Sequence, residues 1–566
     1  MNIKEQIEID LQKAFEKLGF DKVLAVVSVS ASPLCDYQCN ASFGIAKNMG
    51  VKPFDIATQI AGAFKSTVAE AEAVNPAFIN IRVTDSALEK YGNAVIKCGK
   101  LVLQSQNPRT IFFDYGGANI AKELHVGHLR SPIVGESLKR VFVSLGHKTL
   151  SDVYLGDWGL QNGLILAEFE SRNMIKNGAF TQALTLDMFN EIYPFASKRK
   201  NTDTEFKKRC EEITLLMQQK KQPWFALWEQ MRKISVAKIR ENYDSLNCTF
   251  DFYKGESDAQ PYVDTVLDIL KQKKLAYDDK NCLIMDVIRD DDTAPMPPVI
   301  LKKHNGGDLY ATNDIATLYY RSAQFSPDEF IYLTDSRQNL HFEQVFRCVQ
   351  KGGLIKDGTR LTHIGFGSIN GTDGKPFKTR SGGTIKFEEI IDLVTEAAKK
   401  RLSPERQHLA RAIGLSALKF ADLSNNVKKD YVFDLDKFTS FEGKTGPYIL
   451  YTIARINSIL AKVGFLPKSL SEGFKIQCSS VTRYVLVSVC KLADSFATAA
   501  YNYTLNGITD ASWALAAAFN LFYANTNILK ETDVKTREGY IALCKLVRVS
   551  LVHAMDALAI ETVEKM

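Results

Sequence analysis

The sequence predicts an α/β protein with an open parallel sheet at its centre, a small α+β domain before it and a helical bundle after it. Residues 110–152 contain a strand pattern, a glycine-rich turn, a helical pattern and a second strand pattern, in that order. Residues 1–105 alternate helical and strand patterns, and residues 441–566 are helical almost throughout. A strand, helix and strand in succession favour a parallel pair with a right-handed crossover.

The N-terminal region predicts a small α+β domain. Helical patterns such as "IEIDLQKAFEKLG" alternate with strand patterns such as "VLAVVSVSAS" and "AFINIRVTD". The segment "DYQCNASFGIAK" carries Tyr37 and Asn40 among other polar groups. By pattern alone we expect an ordinary domain surface there, with the aromatic side chain exposed.

The unit that follows places two histidines at the start of a helix. "TIFFDY" reads as a strand, "GGAN" breaks it, and apolar residues recur at helical spacing from Val126 to Leu145 before Gly146 ends the run. His125 and His128 therefore lie near a helix N-terminus. Pro132 follows them, which predicts a kink or a late start of the helix because proline is tolerated only in the first turn.

A helix N-terminus favours phosphate as a ligand of these histidines. His125 and His128 are three residues apart, so both rings lie on one face, and Gly127 between them lets a base or ribose approach the backbone. Two alternatives stay open for HxxH by itself: a pair of solvent-facing histidines, and a metal pair. The metal pair is disfavoured because no other ligand cluster lies close in sequence.

Further strand-to-helix switches follow a long helical stretch at about 170–250. They occur in "PPVILKK" with "LYATND", and in "EFIYLTDSRQNLHFEQVF". In an open parallel sheet the residues just after such strands line one crevice. The candidates for that crevice, besides the two histidines, are Asp157, Asp314, Gln338 and His341.

A later basic segment suggests that the phosphate belongs to ATP. "GTDGKPFKTRSGG" combines glycines with Lys378 and other cationic residues, and a helix with acids in its first turn follows it. Alone, such a run is usually a solvated loop. Together with the histidines, it predicts an anion-binding element.

Composition sets broad limits on the protein's class. The chain has 566 residues and a formal net charge of +6, which permits a nucleic-acid partner without indicating one. Its ten cysteines are scattered without a CxxC pair, and its first residues are amphipathic, unlike a signal peptide. No apolar run approaches the roughly 20 residues of a membrane span. We expect reduced thiols, a cytoplasmic location and no membrane partner.

Six segments in order resemble the arginyl-tRNA synthetase family of class I aminoacyl-tRNA synthetases. They are "HVGH" with "LRS", "GDWGLQNG", "LYATND", "DSRQNLHFEQVF", "DGKPFKTRSGG" and "TGPYILYTIARI". The resemblance implies a Rossmann-like nucleotide-binding catalytic domain at 106–440, with a helical insertion at about 170–250. It also implies an additional N-terminal domain at 1–105 that grips the tRNA elbow, and an all-α anticodon-binding bundle at 441–566.

The resemblance also implies a reaction. Family enzymes use ATP to ligate L-arginine to tRNA(Arg) through an arginyl adenylate, transfer the aminoacyl group to the 2′-hydroxyl of the terminal adenosine, and release AMP and diphosphate. We expect activation to wait for bound tRNA. We also expect Mg²⁺ to arrive with ATP, with no dedicated metal ligands in the protein and no tightly bound cofactor, and the enzyme to act as a monomer.

Catalytic and ATP-binding roles follow from the matched motifs. His125 and His128 match the signature histidines that stabilise charge on the α-phosphate. Lys378 matches the surviving lysine of the second class signature, and Lys122 matches a position thought to compensate for the missing one. We expect the ATP site to include these histidines and Lys378, together with Gly127 and His341.

Arginine and tRNA contacts follow in the same way. Asp314 matches the family's acidic partner of the guanidinium, a role that needs paired hydrogen bonds to a carboxylate. The other expected arginine-binding residues are Glu256, Tyr310, Asn119 and Gln338. The expected tRNA-binding residues are Tyr37 and Asn40 in the N-terminal domain and Tyr448 and Tyr451 in the C-terminal domain.

Two other functions stay open. A related class I enzyme for another amino acid would need a different pocket in place of Glu256, Tyr310 and Asp314. A noncatalytic RNA-binding paralogue would be free to lose His125, His128 or Lys378, and the chain retains all three.

Overall fold

The computed structural model describes most of the chain. The described residues are 3–30, 35–103, 107–280, 282–303, 310–371, 374, 385–463 and 479–566. Lys378 lies outside them.

The N-terminal part is the small α+β unit that the sequence predicts. Its strands form one antiparallel sheet in the order β1-β2-β4-β3. Ile79, Ile81 and Val83 alternate along β4 as buried residues, which explains why this strand faces the helices on one side. The elements are α1 (Ile3–Leu18), β1 (Ser28–Val29), β2 (Tyr37–Cys39), α2 (Ala41–Met49), α3 (Pro53–Ala63), β3 (Ala69–Val74), β4 (Phe78–Val83) and α4 (Asp85–Cys98).

The middle part contains a parallel sheet, a helical insertion and a small antiparallel sheet. Its strands are β5 (Thr110–Asp114), β6 (Ala118–Asn119), β7 (Lys148–Asp152), β8 (Leu155–Gly156), β9 (Ile175–Lys176), β10 (Ala179–Phe180), β11 (Ala276–Asp279), β12 (Cys282–Met285), β13 (Val299–Lys302), β14 (Glu329–Asp335), β15 (Arg360–Phe366), β16 (Ile369–Asn370) and β17 (Tyr431–Val432). Its helices are α5 (Arg130–Ser144), α6 (Leu160–Ser171), α7 (Leu186–Arg199), α8 (Thr204–Gln218), α9 (Trp224–Asp244), α10 (Glu256–Gln272), α11 (Tyr310–Phe325), α12 (Asn339–Lys351), α13 (Phe387–Lys399), α14 (Ala410–Leu423) and α15 (Leu435–Phe438).

The parallel sheet has the strand order β15-β14-β5-β7. The chain leaves β5 through α5 to reach β7 on one side, and leaves β14 through α12 to reach β15 on the other. The strand order therefore reverses between β5 and β14, and the crevice at their carboxyl ends is where such sheets bind ligands. Ile111, Phe112 and Phe113 are buried together, as a central strand covered on both faces requires.

The C-terminal part is the predicted helical bundle. Its helices are α16 (Gly446–Val463), α17 (Ser480–Asn502), α18 (Asn506–Asn525) and α19 (Val534–Ala557). Helices α17 and α19 pack against both α4 of the N-terminal part and α5 of the middle part. The N-terminal part is thus attached mainly through the C-terminal bundle, with Arg483 paired to Asp36 at 2.6 Å.

Helix α5 confirms the prediction of a late start. Residues Val126–His128 form a separate 3-10 turn, and the α-helix begins at Arg130. Pro132 is therefore the third residue of the helix, where its missing N–H breaks no hydrogen bond. Within the described ranges, the helices are too short or too polar to cross a lipid bilayer.

Candidate active site

A cleft of about 840 Å³ opens at the carboxyl ends of β5 and β14, where the reversal of strand order predicts it. Its volume lies within the range of small-molecule sites, roughly 300–1,000 Å³. The cleft brings together most of the residues predicted from the sequence, although they come from five separate segments. They are Asn119, His125, Gly127, His128, Glu256, Tyr310, Asp314, Gln338 and His341.

The two histidines are oriented by backbone hydrogen bonds. The amide of Gly127 donates to His125 Nδ1 at 3.1 Å, and the amide of His125 donates to His128 Nδ1 at 3.1 Å. The ring centroids lie 4.1 Å apart. Because both Nδ1 atoms accept, each neutral ring carries its proton on Nε2 and presents that atom as a donor.

Both rings are neutral at pH 7. Burial lowers the pKa of His128 to about 3, and the nearby His125 adds to this effect. Burial also lowers the pKa of His125, with a further contribution from the positive charge of Lys122. Neutral imidazoles fixed in place can donate hydrogen bonds to charge that develops on a ligand, which is an electrostatic function.

Of the two predicted lysines, Lys122 lies within the described residues. Lys122 lines a smaller cleft of about 280 Å³ beside the main one, together with Lys238 and Lys386. Lys378 lies outside the described residues, but the segments on both sides of it border the histidines or the cleft. The amide of Val126 donates to the Ile385 carbonyl at 3.0 Å, and residues 367–369 line the main cleft.

Two carboxylates face the cleft from neighbouring helices. Asp314 lies in the first turns of α11, and its Oδ2 is 2.6 Å from Nε2 of His341. Glu256 is the first residue of α10, and its Oε2 accepts a hydrogen bond from the amide of Trp158 at 3.2 Å. Tyr310 begins α11 and keeps 75% of its surface exposed. This arrangement offers two acids and a phenol to a cationic group.

Burial of Glu256 changes the pKa of its carboxyl group. Its side chain is buried, and burial raises its pKa to about 7, with the negative charges of Asp157 and Asp314 acting in the same direction. The amide of Trp158 acts in the opposite direction. A carboxyl group with this pKa is about half protonated at neutral pH, and a cation that enters the cleft favours its ionised form because an opposite charge nearby lowers the pKa.

The remaining cleft residues sit at element ends. Asn119 ends β6, which pairs in parallel with β8. A Cβ atom on Gly156 of β8 would overlap Oδ1 of Asn119, so only glycine leaves room for that side chain. Gln338 ends the 3-10 turn after β14, and Asp335 caps that turn by accepting the amide of Arg337 at 2.8 Å.

Sequence reasoning missed a buried charge network beneath the cleft. Arg321 of α11 is fully buried and donates to Asp114 Oδ2 at 2.6 Å and to Asp152 Oδ2 at 2.7 Å. Its guanidinium lies 4.7 Å from the ring centroid of Phe112. The two aspartates end adjacent parallel strands, a signal that the sequence did offer. Nothing marked the arginine, which lies within an amphipathic helix.

The prediction that Asp157 belongs to the crevice is wrong. Asp157 is fully buried and absent from the cleft wall. Its carboxylate accepts hydrogen bonds from Arg232 Nε at 2.6 Å and from the Ser257 hydroxyl at 2.8 Å. It anchors the start of α10, and therefore the helix that presents Glu256, because the amide of Ser257 also donates to it.

The prediction of an exposed aromatic at Tyr37 is also wrong. Tyr37 has no exposed surface, and its hydroxyl donates to Asp494 Oδ2 of α17 at 2.6 Å. The side chain holds the N-terminal part against the C-terminal bundle and is unavailable to RNA in this arrangement. Asn40 is exposed at the N-terminus of α2.

An exposed aromatic cluster does exist in the C-terminal part. Arg455 lies 4.8 Å from the ring centroid of Tyr451 and 5.3 Å from that of Tyr523. Tyr448 is half-buried, and Asn520 Nδ2 donates to its hydroxyl at 2.9 Å. Tyrosine rings beside an arginine form the kind of surface on which unpaired bases stack.

The part of the chain that the structure describes contains no group of three His, Cys, Asp or Glu side chains arranged to hold a metal ion. Its cysteines are free thiols.

Family models match nearly the whole chain. The model for "tRNA synthetases class I (R), catalytic domain" matches residues 91–435. The "Arginyl tRNA synthetase N terminal domain" matches residues 1–83, and the "DALR anticodon binding domain" matches residues 449–566.

Curated relatives and solved structures agree with these matches. The arginine–tRNA ligase of Alkaliphilus oremlandii is 40% identical over 582 residues, and that of Agathobacter rectalis is 38% identical over 590 residues; each alignment covers 99% of both chains. The crystal structure of the Plasmodium falciparum arginyl-tRNA synthetase is similar over 100% of this chain and 99% of that one, with a TM-score of 0.85 and 25% identity. The Thermus thermophilus arginyl-tRNA synthetase has the same fold over 100% of both chains, with a TM-score of 0.82 and 21% identity.

Proposed function

The chain belongs to the arginyl-tRNA synthetase family, and from that premise we propose how its cleft joins L-arginine to tRNA(Arg). In the first step the arginine carboxylate attacks the α-phosphorus of ATP, the bond to the β-phosphate oxygen breaks, and diphosphate leaves. In the second step the 2′-hydroxyl of the terminal adenosine attacks the carbonyl of arginyl adenylate, and AMP leaves.

One observation carries the proposal: the histidine pair and the two acids line the same cleft. A pair of fixed Nε2 donors suits the α-phosphate, and a pair of carboxylates suits a guanidinium. An arginine bound between Glu256 and Asp314 would have its carboxylate directed to the same space as the histidines. The cleft volume leaves room for both substrates.

We propose that His125 and His128 lower the barrier of both steps by hydrogen bonding to the phosphate oxygens. Their low pKa values mean that they enter the reaction neutral, so the contribution is preorganised donation. Gly127 and His341 complete the ATP site. Lys122 and Lys378 would add positive charge near the phosphates, and the proximity of Lys122 to His125 supports the first of these roles.

We propose that Asp314 and Glu256 select arginine through its guanidinium. A planar guanidinium pairs with carboxylates through parallel hydrogen bonds, which an ammonium group cannot reproduce. Tyr310 would cover the guanidinium from the exposed side. Asn119 and Gln338 are positioned at element ends facing the cleft, where they would hold the amino and carboxylate groups of arginine.

The flanking domains would bind tRNA. In this proposal residues 1–105 contact the elbow, with Asn40 as one exposed contact, and residues 441–566 bind the anticodon region through Tyr448 and Tyr451. The exposed cluster around Arg455 supports the second assignment. Activation of arginine would wait for tRNA, Mg²⁺ would enter with ATP, and the enzyme would act as a cytoplasmic monomer.

The test is ATP–pyrophosphate exchange with each of the twenty amino acids, with and without total tRNA. We expect exchange with arginine plus tRNA and none with lysine, which carries the charge without the planar guanidinium. Exchange with a different amino acid would assign the chain to another class I specificity. No exchange in any condition, with tRNA binding intact, would support a noncatalytic RNA-binding protein.

A further inference from the structure

Arg130 connects the 3-10 turn of Val126–His128, here called the histidine turn, to three other segments. It is the first residue of α5 and lies two positions after His128. Its Nε donates to Asp422 Oδ1 at 2.9 Å, and its Nη1 donates to the carbonyls of Gly367 and Lys429 at 2.8 and 2.9 Å. Only 2% of Arg130 is exposed, so these contacts are buried. One guanidinium therefore fixes where α5 begins.

Asp422 belongs to α14, which is in turn fixed to the C-terminal part of the chain. Lys419, one turn before Asp422, donates to the carbonyls of Leu246 and Ala559, the latter at 2.6 Å. Helix α16 begins directly on α14, since a Cβ atom on Gly446 would collide with the Ser416 carbonyl. Helix α14 thus contacts α16 and the chain after α19 on one side and the histidine turn on the other.

A second connection joins the sheet to the C-terminal bundle far from the cleft. Glu329 begins β14 and is fully buried; it accepts hydrogen bonds from Arg109 at 3.0 Å and from the hydroxyl of Tyr503, the residue after α17. Because Glu329 lies at the amino end of its strand, this connection is at the opposite edge of the sheet from the histidines. It provides a matched comparison for the connection made by Asp422.

We propose that Arg130 and Asp422 are positioning residues. Their ion pair holds His125 and His128 in the geometry that the reaction needs, and it connects these histidines to the C-terminal bundle through α14. Because α16 carries Tyr448 and Tyr451, tRNA bound there shifts or fixes α14, and the ion pair transmits that change to the histidine turn. This inference rests on the proposed function. It adds the physical connection between the tRNA-binding part and the step of arginine activation.

The test replaces the ion pair without leaving a buried charge. Loss of Arg130 alone would leave the carboxylate of Asp422 unpaired, because no other described residue hydrogen-bonds to it. Replacing a buried ion pair by apolar side chains of similar size is often neutral for stability. The main variant is therefore the double replacement R130M/D422L, and the matched control is E329Q, which weakens the connection at the other edge of the sheet.

Three quantities are measured for each protein: thermal unfolding, tRNA affinity, and arginine-dependent exchange with and without tRNA. For R130M/D422L we expect the tRNA Kd to stay near wild type. The melting temperature falls, because the carbonyls of Gly367 and Lys429 lose their donor, but the protein stays folded at the assay temperature. We expect kcat of exchange with tRNA to fall on the order of 10- to 100-fold, as small misplacements of reacting groups do. KM values for arginine and ATP should change little, and E329Q should keep its stimulation by tRNA.

Exchange by R130M/D422L within about twofold of wild type, the scatter of independent substitutions, would overturn the proposal. So would an equal loss in E329Q, or a loss explained entirely by weaker tRNA binding or by unfolding. Failure of the proposed function gives a different result, because the wild-type protein itself would then show no exchange with arginine.

Discussion

In the proposed arginine pocket, we expect Glu256 to make arginine binding depend on pH. Its pKa is raised to about 7 by burial, so in the arginine-free cleft the carboxyl group is about half protonated at neutral pH. The guanidinium pairs with the ionised form. Below pH 7 a proton must leave before arginine binds with full affinity, and above pH 7 no such cost remains. We therefore expect the Kd for arginine to rise as the pH falls.

The structure gives the size of the effect. For a single carboxyl group with this pKa, the affinity for arginine decreases as the pH falls below 7. Well below pH 7 the decrease approaches about tenfold, or about 1.4 kcal/mol, for each pH unit. In E256Q this proton-linked loss is removed. At pH 8 the same variant loses a hydrogen bond to a charged group, about 1.5–3 kcal/mol, so its Kd for arginine is roughly 10- to 150-fold higher than that of wild type.

The assay is isothermal titration of arginine into the protein between pH 5.5 and 8.5. Buffers of different ionisation enthalpy report the protons released on binding. Other titratable groups face the cleft: Asp314 with its partner His341, and Asp114, whose pKa burial raises to about 7 although Arg321 pairs with it. Asp114 is unchanged in E256Q, so the difference between wild type and E256Q reports the proton of Glu256. The matched control is D494N, since burial raises the pKa of Asp494 to about 7 as well, but this residue contacts Tyr37 far from the cleft.

We expect wild type and D494N to release about one proton below pH 7, and E256Q to release less than half of that. If the Kd for arginine changed with pH as steeply in E256Q as in wild type, the assignment of this pH dependence to Glu256 would be refuted. A wild-type Kd that is constant from pH 6 to 8 would refute the raised pKa itself.

Three further predictions concern the other parts of the site. D314N should lower kcat/KM for arginine in the exchange assay at least about 30-fold, because the loss of one partner of a buried charge pair costs about 2–5 kcal/mol. An unchanged Kd for arginine would contradict the assignment of Asp314 to the arginine pocket. H125N and H128N should each lower kcat about 10²–10³-fold while leaving the Kd for arginine unaltered; rates near wild type would remove the histidines from the mechanism. Y451A should weaken tRNA binding by about 1–3 kcal/mol in a fluorescence titration, and equal binding would place the anticodon elsewhere.

Local sequence pattern predicted the elements that carry the site. The alternation of buried residues in "FINIRV", the strand "TIFFD" and the break at "GGAN" all describe short-range structure, and the late start of α5 follows from the chemistry of Pro132. The cleft itself was predictable because the carboxyl ends of adjacent parallel strands must meet. Asn119, His125, Gln338 and His341 lie in it for that reason.

Side-chain environment was less predictable. Asp157 follows a strand as His125 does, yet Arg232 and Ser257 bury it, and these partners lie 75 and 100 residues away in the sequence. Tyr37 lies in a polar segment, which predicts an exposed side chain. In the structure it is buried and hydrogen-bonded to Asp494 of α17, which lies 457 residues later in the sequence. Polarity indicates which residues can serve in a site, but it does not show which of them the fold leaves accessible.

The sequence by itself determined the order of the elements, the histidine and lysine signatures and the family. Tertiary structure alone decided that burial raises the pKa of Glu256 to about 7, that it lowers the pKa of His125 and His128, and that Arg130 pairs with Asp422. The physical reason is that burial and ion pairing arise from segments brought together by folding, whereas periodicity and turn chemistry act between neighbours in the chain.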